Sequence, residues 1–150
     1  MTKPGICKPL HLGGKFDTDC APGLFIKILF GGTAYGLIEV IWRGYTHPSM
    51  VITGGICFAL ICAINRKFPN TPLILRSAAC AIGITAVEFC VGMVVNRALH
   101  MEVWDYSDMV FDLMGQICPL YSFLWFLLCI PVSYVLTRIH FSAKVRNLKK

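Results

Sequence analysis

The fold of this protein is decided by residues 73–95, which read LILRSAACAIGITAVEFCVGMVV. Only Arg76 and Glu88 are charged in this run, and as a helix it is long enough to cross a bilayer. Three more apolar runs cover residues 24–42, 48–64 and 113–136. The shortest has roughly 17 residues and extends about 26 Å as a helix, near the lower limit for a membrane span. We predict an all-α, polytopic membrane protein with four transmembrane helices.

The composition excludes the other broad classes of protein. Of the 150 residues, 56% are hydrophobic and 15% are charged, and the mean hydropathy is +0.65. Soluble domains carry about 25% charged residues, and the same composition excludes disorder, collagen and coiled coil. The net charge of +6 does not indicate nucleic-acid binding, because most basic residues flank apolar runs. We expect one transmembrane domain, 23–137, between an N-terminal tail, 1–22, and a basic tail, 138–150.

The distribution of basic residues predicts the orientation. With four spans, the two tails and the middle loop share one side of the membrane, and that side carries 11 of the 14 Lys and Arg residues. The other side has Arg43 and Arg97, and Lys27 lies just inside the first span. Because cytoplasmic loops carry an excess of basic residues, we predict that both termini are cytoplasmic and that the loop 97–112 is on the outer side.

The eight cysteines do not indicate a metal or redox site. Six fall inside the predicted spans, where Cys behaves as a small apolar residue. Cys7 and Cys20 lie in the tail predicted to face the reducing cytoplasm, and no CxxC spacing occurs. A site built from Cys7, His11 and Cys20 would need a fourth ligand. We therefore predict no metal and no cofactor.

Acidic residues within the spans are the first candidates for function, because a charge in the hydrocarbon region costs about 2.5–3.5 kcal/mol on insertion scales. Glu39 is four residues before Arg43, so that the two side chains are neighbours on one helix face. Glu88 has no basic residue at i±4, and it lies roughly 10 Å below the outer end of its helix. We expect the partner of its carboxylate to come from another helix, or from Arg43 or Arg97 folding inward, or to be a proton that neutralises the charge.

The outer loop adds further polar and aromatic candidates. Trp104 and Tyr106 are apolar enough to enter the interface or the bundle, and Asp112 suits the N-cap of the fourth helix, with Gln116 facing inward. We predict an outward-facing acidic site for a cation, a proton or a polar solute, with the charge partners Arg43 and Arg97. Its binding residues are Glu39, Glu88, Trp104, Asp105, Tyr106, Asp112 and Gln116. The alternative is a superficial Glu39–Arg43 ion pair with solvated loop carboxylates.

A family resemblance is carried by the string Trp104-Asp105-Tyr106-Ser107, followed by Asp112-Leu-Met-Gly-Gln-Ile-Cys118 and Trp125. These residues resemble the bacterial membrane proteins described as "putative ABC-transporter type IV", and small animal four-helix membrane proteins share the pattern. Glu39 and the motif Glu88-Phe89-x-x-Gly92 belong to the same resemblance, which covers roughly residues 25–137. Asp112 replaces a frequent Asn of the family, which keeps the capping role and adds a charge. The resemblance implies a transport class and a multi-pass protein of the bacterial cytoplasmic membrane.

Three functions stay open at this point. The first is a transport-associated, permease-like subunit with no cofactor, whose ATPase is a separate chain because no GxxxxGK[ST] loop is present. The second is a non-catalytic scaffold or regulator of another membrane complex. The third is an intramembrane enzyme acting on a lipid headgroup, with Glu88 and Asp105 as acid and base. We favour a protein that is not an enzyme. The expected partners are the lipid bilayer, an ATPase or other membrane subunit, and a second copy of the chain. Gly32 and Gly36 form a GxxxG pair that is expected to pack within the bundle, with a contact between two copies as the alternative.

Overall fold

The computed structural model of the protein describes residues 21–148, and side chains within 23–139. The tail residues Cys7, His11 and Cys20 lie outside the described residues. Four α-helices follow one another in the chain: α1 (Ala21–Arg43), α2 (Pro48–Lys67), α3 (Leu73–Gly92) and α4 (Pro119–Leu148). A π-helical turn, Met93–Ala98, continues α3 directly.

The four helices confirm the prediction of an all-α membrane protein. The segments Gly23–Arg43, Pro48–Lys67, Leu73–Ala98 and Pro119–Ile139 are each long and apolar enough to cross a membrane. Short links between α1 and α2 and between α2 and α3 make these neighbours antiparallel. We call the end of the bundle with residues 44–47 and 99–118 the outer end, and the opposite end the inner end. That the inner end faces the cytoplasm stays a prediction.

The helices pack in chain order, α1 on α2, α2 on α3 and α3 on α4, and α2 also touches α4. The α1–α2 contact depends on a missing side chain at Gly32, where a Cβ atom would overlap the backbone carbonyl of Val51. Gly36, one turn further on, lies against the Val51 side chain. The predicted GxxxG pair is therefore used for packing within the chain.

The start of the fourth helix differs from the prediction. We placed the span at 113–136, but α4 begins at Pro119 and extends to Leu148, past the predicted start of the basic tail. Proline is tolerated in the first turn because its missing N–H has no helical partner there. Pro119 therefore starts the helix without a kink, whereas Pro131 lies inside it.

The middle of the bundle contains a layer of buried apolar side chains from three helices, which we call the dry layer. Its buried residues are Cys57 and Ile61 of α2, Ile84 of α3 and Cys129 of α4, and Cys80 of α3, one turn before Ile84, borders it on the inner side. All six cysteines of the described part are free, and five are buried. The prediction that cysteines in the spans act as small apolar residues fits these positions.

Candidate functional site

Glu88 lies on α3 among side chains of two other helices. Its carboxylate accepts a hydrogen bond of 2.8 Å from the indole Nε1 of Trp125 on α4. Tyr35 of α1 stacks on the Trp125 ring, with centroids 5.6 Å apart and planes 21° apart. The expectation of a partner from another helix is confirmed. We call these three residues the Glu88 site.

An aromatic pair from the outer end covers this region. Tyr106 of the outer loop stacks on Tyr121 of α4, with ring centroids 4.7 Å apart. Tyr106 also packs with Tyr35 against the buried cluster that contains Trp104. Burial raises the pKa of Tyr106 above its ordinary value, and a charge on Glu88 adds to the effect. The Tyr106 phenol therefore stays neutral.

Glu39 and Arg43 form a second group, which joins α1 to the outer loop. The Glu39 carboxylate is 7% exposed, accepts from the Arg43 guanidinium at 3.0 Å, and accepts from the Thr46 hydroxyl at 2.5 Å. Arg43 donates in addition to the Val103 carbonyl at 2.9 Å. We call this group the outer clasp. The predicted ion pair is present, but it is buried on the Glu39 side and not superficial.

Asn96, in the π-helical turn, is the centre of a third group. Its amide nitrogen donates to the Trp104 carbonyl at 2.9 Å and to Gln116 Oε1 at 2.8 Å, and its Oδ1 accepts from the Val103 amide at 2.8 Å. The Trp104 indole in turn donates to the Gln116 carbonyl at 3.1 Å. A side chain at Gly92 would overlap Gln116, which explains the glycine of the Glu-Phe-x-x-Gly motif. We call this group the loop anchor.

The loop carboxylates make local contacts. Asp105 accepts from the backbone and hydroxyl of Ser107, and these hydrogen bonds lower the pKa of its exposed carboxyl. Asp112 accepts from the Gly115 amide at 2.7 Å within a turn. The predicted N-cap role of Asp112 is therefore wrong, because α4 begins only at Pro119. Arg97 is exposed, with one long contact of 3.5 Å to the Met114 carbonyl.

The structure thus divides the predicted binding residues into three groups. Glu88 is in the Glu88 site, Glu39 is in the outer clasp, and Trp104 and Gln116 are in the loop anchor. Tyr106 connects the first and third groups, whereas Asp105 and Asp112 fold back on their own turns. A ligand-binding role for the seven residues stays a prediction.

Sequence reasoning missed three contributors: Tyr35, Thr46 and Asn96. Asn96 had a usable signal, because an amide near the end of an apolar run needs hydrogen-bond partners. Tyr35 and Thr46 gave no such signal in the sequence, because their contacts with Trp125 and Glu39 exist only in the folded chain.

A comparison with protein families matches residues 37–150 to the family described as "Putative ABC-transporter type IV". The chain belongs to this family. The match contains most of the Glu88 site, the outer clasp and the whole loop anchor, and it begins within α1. Neither the comparison with curated proteins nor the one with solved structures finds a match. The family description associates the chain with transport across membranes, and the four helices agree with a multi-pass membrane protein.

Proposed function

We propose that this protein is a small membrane subunit of a transport system, and that Glu88 is its proton-binding group. The family membership supports the transport association. The hydrogen bond that Trp125 donates to a carboxylate within the membrane is the observation that carries the proton-binding role.

The two predicted charge partners leave Glu88 to a proton. Among the side chains of residues 23–139, Arg43 pairs with Glu39 and Arg97 contacts the Met114 carbonyl, so neither neutralises Glu88. A carboxylate charge in hydrocarbon costs several kcal/mol, and binding a proton removes that charge. The Trp125 indole donates to the carboxylate, which supports the charged form as well.

The same neighbours disfavour a metal cation. Calcium and magnesium take about six or more oxygen ligands, and an indole N–H is a donor only. In the part of the chain that the structure describes, no three His, Cys, Asp or Glu residues group as metal ligands. Of the three ligand classes predicted from the sequence, the proton fits this chemistry best.

Protonation at this position would act on helix packing. A hydrogen bond to a charged carboxylate is roughly twice as strong as one to a neutral group. A proton on Glu88 therefore weakens the link from α3 to Trp125 of α4. In a transport subunit, this change couples proton binding to the separation of helices at the outer end.

A scaffold role is the second candidate, and the loop anchor favours it. Its hydrogen bonds between Asn96, Trp104 and Gln116 are mutually satisfied, as expected of a network that fixes a shape for a partner. The enzyme hypothesis gains no such support. Within the described residues, Asp105 contacts Ser107 and makes no hydrogen bond to Glu88.

Infrared difference spectroscopy on the reconstituted protein tests proton binding directly. Acidifying the outer side is expected to produce the C=O band of a protonated carboxylic acid, and Glu88→Gln is expected to abolish that band. Glu39→Gln is the matched control, because Glu39 forms an ion pair with Arg43 and its replacement is expected to leave the band in place. A band that persists in Glu88→Gln contradicts the proposal.

The transport association has its own test. Affinity purification from native membranes, followed by mass spectrometry, is expected to recover a nucleotide-hydrolysing chain with the protein. If Glu88→Gln retains this partner and all partner-dependent transport, the scaffold role is correct and proton binding is dispensable.

A further inference from the structure

A second set of buried polar side chains lies at the inner end of the bundle, away from the Glu88 site. Helix α2 contributes one residue, α3 contributes three and α4 contributes two. All are buried except the last, which is half-buried. We call this set the inner polar cluster: Asn65, Arg76, Ser77, Cys80, Ser133 and Thr137.

Hydrogen bonds connect the cluster across three helices. The Asn65 amide donates to Ser133 Oγ at 3.1 Å and to Cys80 Sγ at 3.7 Å. The Arg76 guanidinium donates to Thr137 Oγ1 at 2.8 Å, and to the carbonyls of Phe68 and Pro69 at 3.3 and 3.2 Å. Arg76 therefore connects the end of α2 to α4 at the inner side of the cluster.

Three polar atoms of this cluster are left over. Asn65 Oδ1, Arg76 Nε and Ser77 Oγ are buried and have no hydrogen-bond partner among the described residues. The three residues are 4%, 4% and 0% exposed. An unsatisfied buried polar group costs about 1–3 kcal/mol. One atom accepts, one donates and one does both, and a water molecule, which donates and accepts, can satisfy each of them.

Arg76 contacts no acidic side chain among residues 23–139. Its guanidinium donates to the Thr137 hydroxyl and to the two carbonyls named above. The acidic residues of this part of the chain all belong to the outer half or the outer loop: Glu39, Glu88, Glu102, Asp105, Asp108 and Asp112. Among the described side chains, Arg76 therefore gives the inner polar cluster a positive charge.

A dry layer separates the two polar regions. Arg76 and Glu88 are twelve residues apart on α3, or about 18 Å by helical rise. Ile84 and Cys129, 1% and 0% exposed, fill the space between them together with Cys57 and Ile61. The inner polar cluster is thus a separate site.

We propose that the inner polar cluster is a hydrated recess that water enters from the inner end of the bundle, and that Arg76 makes it selective against cations. Water is the ligand that donates and accepts, and a buried water needs two to four polar partners of this kind. A fixed positive charge on a narrow polar path excludes protons and other cations. Interpreting the recess as the inner half of a pathway rests on the proposed function. Glu88 then exchanges its proton with the outer side alone.

Thiol labelling of single-cysteine variants in oriented vesicles tests the recess. Ser77→Cys, in a background with the native cysteines replaced, reports on the cluster, and Cys57 kept alone reports on the dry layer. Charged methanethiosulfonate reagents are added to the inner side. Position 77 is expected to react about tenfold faster than Cys57, and the anionic reagent about tenfold faster than the cationic one, which corresponds to about 1.4 kcal/mol.

Arg76→Gln is expected to remove the preference for the anionic reagent and to keep the contrast between the two positions. Equal labelling of the two positions, a preference that survives Arg76→Gln, or labelling from the outer side alone would each overturn the proposal. X-ray radiolytic footprinting of the unsubstituted protein gives an independent measurement that needs no variant. Oxidation by activated water is expected at Cys80, within the cluster, and not at Cys57.

These measurements do not depend on the proton at Glu88. The labelling pattern is expected to be the same in Glu88→Gln, because the dry layer separates the two sites. A failed labelling experiment therefore removes the recess and leaves proton binding at Glu88 to its infrared test. A failed infrared test removes the proton site and leaves the recess in place.

Discussion

Replacing Asn96 by Ala is expected to release the outer loop from the bundle while the helices stay intact. The substitution removes two donated hydrogen bonds and one accepted hydrogen bond, with lengths of 2.8–2.9 Å. At a net value of about 1 kcal/mol each, the loss is about 3 kcal/mol. Since a tenfold change corresponds to about 1.4 kcal/mol, the open form of the loop becomes roughly 100-fold more populated.

Amide hydrogen exchange at Val103 measures this opening, because its N–H donates to Asn96 Oδ1. Exchange at Val103 is expected to accelerate by the same factor, whereas amides in the middle of α2 stay protected. Asn70→Ala, in the exposed link between α2 and α3, is the matched control and is expected to change neither. If Val103 exchanges at the same rate in Asn96→Ala and in the unsubstituted protein, the loop is held by its apolar contacts and the reasoning fails.

Two further predictions concern the α1–α2 contact and the outer loop. Gly32→Ala places a Cβ atom against the Val51 carbonyl and is expected to destabilise the fold by about 1–3 kcal/mol. Thermal unfolding measures this loss. The exposed Thr33→Ala is the control and is expected to leave the unfolding temperature nearly unchanged. Ser107→Ala removes the hydrogen bonds from its hydroxyl and is expected to raise the pKa of Asp105 toward its ordinary value of about 3.9, as followed by NMR titration of the carboxyl carbon. Because the native pKa is lowered, the stabilisation by this pair is present above that ordinary value and is lost as the pH falls through the native pKa. An Asp105 titration that is identical in both proteins contradicts the assignment.

The number and type of the helices were predictable from the sequence, because an apolar run of sufficient length has few alternatives in water or lipid. The start of the fourth helix was not predictable, although the residues after 113 are apolar. In the structure, Phe111 and Met114 have positive φ values of 60° and 56°, and Asp112 caps a turn at Gly115. Local hydrogen bonding of this kind competes with helix formation, and hydropathy does not report it.

The candidate site shows the same division. The sequence by itself determined that Glu88 lies within a membrane span with no basic residue on its own helix face, since this follows from helical periodicity alone. Only the tertiary structure decided that Trp125 of α4 donates to the carboxylate and that Tyr35 of α1 stacks on the Trp125 ring. It also decided that Arg43 pairs with Glu39 and that Arg76 is buried at the inner end. The physical reason is that periodicity fixes which residues share a helix face, whereas the packing of the helices fixes which faces meet.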